Sequence, residues 1–329
     1  MSIDQESHGS PASLVRLFGW TMLATLFTYL LNNYLSIAKD FEGAAQLLSG
    51  NFSIGSIIPA IIYLAGFALA WFFVSRTPSR ALRTDAATIN RFNAYLIRAF
   101  FFAVLLVGLA DMIISMLRVE GLLGNYVGPD MLKELGRSTF RGTYVHYPLI
   151  ASGFVLALFT RTLGFHWLAL LIVAAELAIV ITRFIFSYEQ AFMGDLVRFW
   201  YAALFLFASA YTLLHEGHVR VDVLYAGLSR RSKGRVNKIG SIMLGMTLCW
   251  TIIVIGLKGK ASIIYGPLSN FEVSQSGFGM YTKYLMAGFL GVFAITMLIQ
   301  FVSQLFEAHA DSRNDPGGRP VESEAAASH

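Results

Sequence analysis

Apolar runs of bilayer length are the feature that most limits what this 329-residue chain can fold into. About 20 consecutive apolar residues cross the hydrocarbon core of a membrane as an α-helix, and stretches such as IIPAIIYLAGFALAWFFV and WLALLIVAAELAIVI recur along the sequence. We therefore predict an all-α polytopic membrane protein with about eight transmembrane helices. Their centres are expected near Phe27, Ile62, Leu106, Val155, Ala174, Leu206, Leu248 and Ala294.

Basic residues are concentrated in two links between these runs, from Arg76 to Arg98 and from Arg230 to Lys238. Basic links face the cytoplasm, and an even number of spans then leaves both termini on that side. We expect a multi-pass protein of the bacterial inner (cytoplasmic) membrane with both termini cytoplasmic. The net charge of +5 is explained by this topology, so no nucleic-acid partner is predicted.

The link from Arg118 to Tyr147 fits this topology least well. It would be periplasmic, yet it contains several basic residues, which are balanced by Glu120, Asp130 and Glu134. We expect a short re-entrant or surface helix within it. The fourth span is predicted to begin at Pro148, after the link.

Sequence signatures of catalysis and metal binding are missing from the chain. The single cysteine, Cys249, lies inside an apolar run, so neither an intrachain disulfide nor a cysteine-based metal site is expected. The sequence has no phosphate-binding loop, zinc signature or nucleophile elbow. We predict no catalytic residues, no bound metal and no enzymatic activity.

Two acidic residues, Asp111 and Glu176, fall inside predicted spans. An ionisable side chain at membrane depth is costly, which makes it a functional candidate by default. Each residue could bind a coupling cation or a proton, or it could be protonated or paired with Ser, Thr, Asn or Arg on a neighbouring helix. We favour a structural role in helix assembly, which includes contact with a partner subunit.

Three short motifs follow one another in the second half of the chain. They are ITRFIF at residues 181–186, GDLVRFW at 194–200 and HEGHVRVDVLY at 215–225. In this order they resemble the small permease subunit of tripartite ATP-independent periplasmic (TRAP) transporters, a DctQ-like protein. Gly194 and Asp195 replace two glutamates that are usual in that family. The resemblance covers Phe165 to Phe306, and the preceding helices are an N-terminal extension.

The resemblance implies a subunit that scaffolds the large TRAP permease subunit and helps to dock a periplasmic solute-binding protein. The assembly would take up an organic solute of the carboxylate class by symport, driven by an ion gradient. No cofactor is implied for this chain, because sodium would be bound by the large subunit. Two other functions stay open: a self-sufficient carrier or channel that uses Asp111 and Glu176, and an intramembrane lipid-modifying enzyme that uses His146, His166 or the 215–222 segment.

The motifs also suggest where partners would bind. Arg183, Asp195 and Arg198 are expected to meet at the periplasmic surface and dock a partner, although interfacial snorkelling and an intrachain ion pair would also explain them. A cytoplasmic-side motif comprises Glu216, Gly217, His218, Arg220 and Asp222. The amphipathic stretch that follows is expected to lie along the lipid headgroups, at about 1 kcal/mol per basic residue, through Arg230, Arg231, Lys233, Arg235 and Lys238.

We predict four segments along the chain. Residues 1–13 and 310–329 are expected to be disordered tails, since the second is rich in Pro, Gly, Ser and Glu. Residues 14–162 would form a block of about four transmembrane helices. Residues 163–309 would form a DctQ-like four-helix domain with an amphipathic interfacial segment.

Overall fold

The computed structural model describes residues 12–162, 164–188, 190–215, 225–273 and 279–317. These residues are helical or irregular, without a strand among them. Eight of the helices in these ranges are long and apolar enough to cross a membrane. They are α1 (Ser13–Ala38), α2 (Ile54–Arg76), α3 (Leu82–Val119), α5 (Ser138–Phe159), α6 (Phe165–Phe186), α7 (Ala191–Leu214), α8 (Arg230–Leu257) and α10 (Lys283–Ser312).

The all-α prediction with eight spans is confirmed, because each expected centre lies inside one of these eight helices. In the described residues, two short α-helices lie in the links, α4 (Pro129–Leu135) and α9 (Tyr265–Asn270). The first occupies the 118–147 link, where a short helix was expected. The cytoplasmic location of the two termini stays a prediction.

The predicted start of the fourth span at Pro148 is wrong by ten residues. Helix α5 begins at Ser138 and passes through a π-helical turn, Arg141–His146, before Pro148. The sequence RGTYVH is too polar to be recognised as part of a span that faces lipid. It is accommodated because Arg141 and His146 are fully buried among protein side chains.

The two basic links are also more helical than the apolar runs indicate. Helix α3 begins at Leu82, so most of the first link belongs to a span. Helix α8 begins at Arg230 and continues through a π-helical turn, Ser241–Met246, to its end. The basic stretch after Ser229 is therefore the first part of the seventh span. Its predicted contact with lipid headgroups stays a prediction.

The chain divides into two compact units. The first unit comprises residues 1–91, 216–251 and 297–329, and the second comprises residues 92–215 and 252–296. Each unit combines segments from both halves of the sequence. The four predicted segments of the chain, divided at residue 162, stay a prediction.

The first unit contains a buried ion network at the beginning of α1 and α3. Arg16 and Asp85 are both fully buried, and the Arg16 Nε atom lies 2.7 Å from Asp85 Oδ2. Trp20 Nε1 donates to the same oxygen at 3.0 Å, and Arg80 Nε lies 2.6 Å from the other carboxylate oxygen. Arg16 Nη2 also donates to Thr77 Oγ1 at 2.8 Å. A buried charge needs such compensation, so this network connects α1 with the link after α2.

Aromatic packing forms the core of the second unit. The Phe289 ring lies 5.1 Å from Phe199 and 4.9 Å from Phe207, measured between ring centroids. Gly108 allows Trp200 of α7 to approach α3, because a Cβ atom at that position would collide with the indole. This close approach lets Trp200 Nε1 donate to the Val104 carbonyl at 3.4 Å.

Candidate functional site

A buried polar cluster in the second unit is built around Asp111. Asp111 is fully buried in α3 and lies eight residues before the helix ends. Its Oδ1 atom accepts a hydrogen bond from Arg141 Nη1 at 2.8 Å and lies 3.2 Å from His146 Nε2. Its Oδ2 atom accepts from the backbone N–H of Tyr281 at 2.7 Å. Both carboxylate oxygens are therefore occupied. We call this group the Asp111 cluster, which comprises Asp111, Ser115, Arg141, His146, Tyr281 and Tyr284.

The π-helical turn of α5 brings Arg141 and His146 to the same side of the helix. Hydrogen bonds in a π-helix join residues five apart, and these two residues differ by five positions. In a regular α-helix, at 3.6 residues per turn, they would point in clearly different directions. The local widening of α5 thus allows one helix to present both a guanidinium and an imidazole to Asp111.

Arg141 is held by more than its carboxylate. Its Nε atom donates to the Leu135 carbonyl at 2.6 Å, and its Nη1 atom also lies 3.0 Å from Ser115 Oγ. Its guanidinium carbon is 4.3 Å from the centroid of the Tyr281 ring, which is within the range of a cation–π interaction. The positive charge is therefore surrounded on several sides by protein groups.

His146 extends the cluster to the last span. Its Nδ1 atom lies 2.9 Å from the hydroxyl of Tyr284, and the two rings stack with centroids 5.9 Å apart. With Nε2 protonated, the imidazole donates a hydrogen bond to Asp111 and accepts one from the Tyr284 hydroxyl at Nδ1. The cluster therefore joins α3, α5 and α10 through one continuous set of hydrogen bonds.

Sequence reasoning found Asp111 but missed Arg141. One open alternative for Asp111 was pairing with a polar residue of a neighbouring helix, and this is the arrangement that the structure shows. His146 was named only as a candidate catalytic residue, whereas it is fully buried against Asp111 and Tyr284. The polar stretch RGTYVH directly before an apolar run was the signal that could have identified both partners.

Asp195 has a related role at the beginning of α7. Its Oδ2 atom accepts a hydrogen bond from the backbone N–H of Met280 at 3.1 Å, one residue before the backbone N–H that Asp111 accepts. Met280 and Tyr281 come just before Lys283, the first residue of α10. Two carboxylates from α3 and α7 thus position the residues that lead into α10.

The three predicted docking residues are only partly brought together. Asp195 and Arg198 form an ion pair at 3.5 Å, in which the Arg198 side chain is 74% exposed. Arg183 is exposed near the end of α6 and makes no ion pair among the residues that the structure describes. In the link after α6, the Tyr188 hydroxyl donates to the Glu120 carboxylate, and this hydrogen bond raises the pKa of Tyr188.

Glu176 has an environment opposite to that of Asp111. It lies near the middle of α6, and its side chain is exposed beside Val173 and Leu177, which are also exposed. In the described part of the chain it has neither a hydrogen bond nor an ion pair. A charged side chain at the bilayer centre costs about 2.5–3.5 kcal/mol on insertion scales, so the exposed carboxylate is not explained by packing within this chain.

The cytoplasmic-side motif cannot be placed in the same way. Glu216, Gly217, His218, Arg220 and Asp222 lie outside the described residues. The enzymatic alternative based on residues 215–222 is therefore untested by the geometry. His166, another candidate of that alternative, is exposed near the beginning of α6.

Two of the five predicted headgroup-binding residues also bind within the first unit. Arg230 Nη2 donates to Asp311 at 3.0 Å, and Arg231 Nε donates to the Ser312 carbonyl at 3.1 Å. Gly234 permits this contact, because a Cβ atom there would lie 2.5 Å from the Ser312 nitrogen. Of the remaining three, Arg235 is exposed and Lys233 and Lys238 are half-buried.

No cluster of three or more His, Cys, Asp or Glu side chains suited to a metal ion occurs among the described residues.

Comparison with known proteins gives one result. Residues 170–310 match the family model described as "Tripartite ATP-independent periplasmic transporters, DctQ component". No curated protein and no solved structure matches the chain. The matched region runs from α6 to α10, which confirms the resemblance inferred from the three motifs.

Proposed function

We propose that this multi-pass protein scaffolds a large permease subunit in the bacterial inner membrane. The reason is that residues 170–310 match the DctQ component family of TRAP transporters. In the same proposal it helps to dock the periplasmic solute-binding protein. The assembly takes up an organic solute of the carboxylate class by symport, and sodium binds to the large subunit. The family match is the observation that carries this proposal.

The Asp111 cluster supports a scaffolding role. The carboxylate oxygens of Asp111 are already used by Arg141, His146 and the Tyr281 backbone. Binding a coupling cation there would require these contacts to be broken. A buried network of hydrogen bonds and an ion pair fixes the helices that it joins relative to one another, as a scaffolding subunit requires.

The polar residues near the end of α6 and the beginning of α7 support a docking role. Arg183 and Arg198 both present exposed guanidinium groups, whereas Asp195 is engaged with Met280 and Arg198. Arginine forms bidentate pairs with carboxylates at protein interfaces. We therefore assign the two arginines to an acidic patch on the binding protein, with Asp195 setting the position of Arg198.

The test is co-expression of the chain with its large permease subunit, followed by purification in mild detergent. We expect one stable complex that retains both subunits, and we expect the purified binding protein to associate with it. In proteoliposomes, uptake of radiolabelled dicarboxylates and sugar acids should require both membrane subunits. Uptake by the isolated chain, or full activity of the large subunit without it, would refute the proposal.

Charge at the docking surface gives a sharper test. Arg183→Ala combined with Arg198→Ala should weaken binding of the solute-binding protein at least tenfold and leave the membrane complex intact, since both side chains are exposed. Arg235→Ala is a matched control, because it also removes an exposed guanidinium, in the basic stretch of α8. Equal binding by the double variant and the control would contradict the assignment.

A further inference from the structure

Helix α6 is the least covered of the eight spans in the described part of the chain. One face of it carries large apolar side chains at alternating spacings of three and four residues. These exposed residues are Leu170, Val173, Leu177, Val180 and Phe184. This spacing is the seam with which one helix packs along another at a shallow crossing angle. We call it the α6 seam.

Glu176 lies directly beside this seam. It is the twelfth of the 22 residues of α6, which places it about 16 Å from either end of the helix at 1.5 Å per residue. It is therefore at the depth of the bilayer centre. Val173 and Val180, one turn away on either side, are both exposed to the same surroundings.

Lipid chains alone do not account for this arrangement. Acyl chains cover an apolar seam well, but they offer no hydrogen-bond donor to a carboxylate at the bilayer centre. The other acidic residue deep in a span, Asp111, is buried and compensated by Arg141 within the chain. Glu176 lacks such a donor in the described residues, and a partner helix packed on the α6 seam would bring one to the same depth.

We propose that the α6 seam is the docking surface for a membrane-spanning helix of the large permease subunit, which places a basic or hydrogen-bond-donating side chain against Glu176. This inference rests on the proposed function, because it assigns the partner of that complex. Polar side chains that bond across helices commonly join membrane helices in this manner. The α6 seam provides the apolar surface on which the partner helix packs, and Glu176 fixes the depth and the rotation of that helix.

Photo-cross-linking in the intact complex tests the position of the partner. A benzophenone amino acid is placed at Val173 or Val180, and at Leu64 as the control. Leu64 is exposed to a similar degree and lies near the middle of another span, α2. We expect adducts with the large subunit from both seam positions and none from Leu64. Adducts with a second copy of this chain, adducts with lipid alone, or equal large-subunit adducts from Leu64 would each overturn the inference.

Substitution of Glu176 tests the role of the carboxylate. Glu176→Leu should lower the fraction of large subunit retained through a stringent detergent wash about tenfold, in line with the strength of interhelical polar contacts. Leu177→Met changes a neighbouring seam residue without altering polarity and should retain the wild-type fraction. Wild-type retention by Glu176→Leu would overturn the role of Glu176.

Different results refute the proposed function and the α6 seam assignment. If the wild-type chain does not copurify with the large subunit at all, the proposed function is refuted. If the complex forms but neither seam position cross-links to the large subunit, the proposed function stands and only the α6 seam assignment is refuted.

Discussion

Asp111 and Glu176 are carboxylates at membrane depth that look alike in the sequence and differ in every respect in the structure. Asp111 is fully buried and has partners for both oxygens, whereas Glu176 is exposed and has none within the described residues. The first carboxylate holds this chain together, and we assign the second to a partner. A carboxylate at membrane depth therefore requires a hydrogen-bond donor or a positive charge. The fold determines whether that group comes from the same chain or from a partner.

The strongest way to test this contrast is to remove the Asp111 carboxylate. Asp111→Ala leaves Arg141 buried without its counter-charge, which should cost about 3–5 kcal/mol of unfolding free energy. Unfolding of the purified chain in mixed micelles, titrated with SDS, measures this loss. Glu176→Ala in the same assay should change the free energy of unfolding by less than about 0.5 kcal/mol. Equal losses would break the comparison.

A double substitution separates the ion pair from simple loss of packing. Arg141→Met added to Asp111→Ala removes the uncompensated charge, so we expect the double variant to recover about 2 kcal/mol relative to Asp111→Ala alone. The complete double-mutant cycle in the same SDS titration gives the coupling energy. Additive losses from the two single variants would show that the two side chains do not act as a pair.

The link from the cluster to α10 predicts a smaller effect. Tyr284→Phe removes only the hydroxyl that bonds to His146 Nδ1, so we expect a loss of about 1 kcal/mol. The same unfolding assay measures it. Tyr201→Phe is a suitable control, because Tyr201 is exposed on α7 and should show no loss. A neutral Tyr284→Phe result would remove α10 from the cluster.

The smallest expected effect concerns Glu176 in the isolated chain. Glu176→Gln keeps the size of the side chain and removes its charge, so the stability of the chain alone should change by less than about 0.5 kcal/mol. Melting curves of the isolated chain and of its complex with the large subunit measure this directly. If the substitution destabilises the isolated chain as much as the complex, Glu176 has an intrachain partner and the contrast with Asp111 is lost.

The boundaries of some spans could be predicted from the sequence, whereas those of others could not. The runs around Ile62 and Ala174 were long and predominantly apolar, and α2 and α6 formed where they were expected. The start of the fourth span was not predicted, because the ten residues before Pro148, which include Arg141 and His146, proved helical as well. Hydropathy detects residues that face lipid, but it does not detect residues of a span that face other protein groups.

The fold class, the eight spans and the resemblance of residues 170–310 to DctQ components can be read from the amino-acid sequence alone. These properties depend on backbone satisfaction in lipid and on local motifs, both of which can be read along the chain. Which ionisable residues are buried and paired depends instead on how the helices pack. Asp111 and Arg141 are 30 positions apart and meet because two helices pack and a π-helical turn aims one side chain. Glu176 is exposed on α6, outside the face formed by the buried residues Leu168, Ile172 and Ala175, and no property of the residue itself distinguishes the two outcomes.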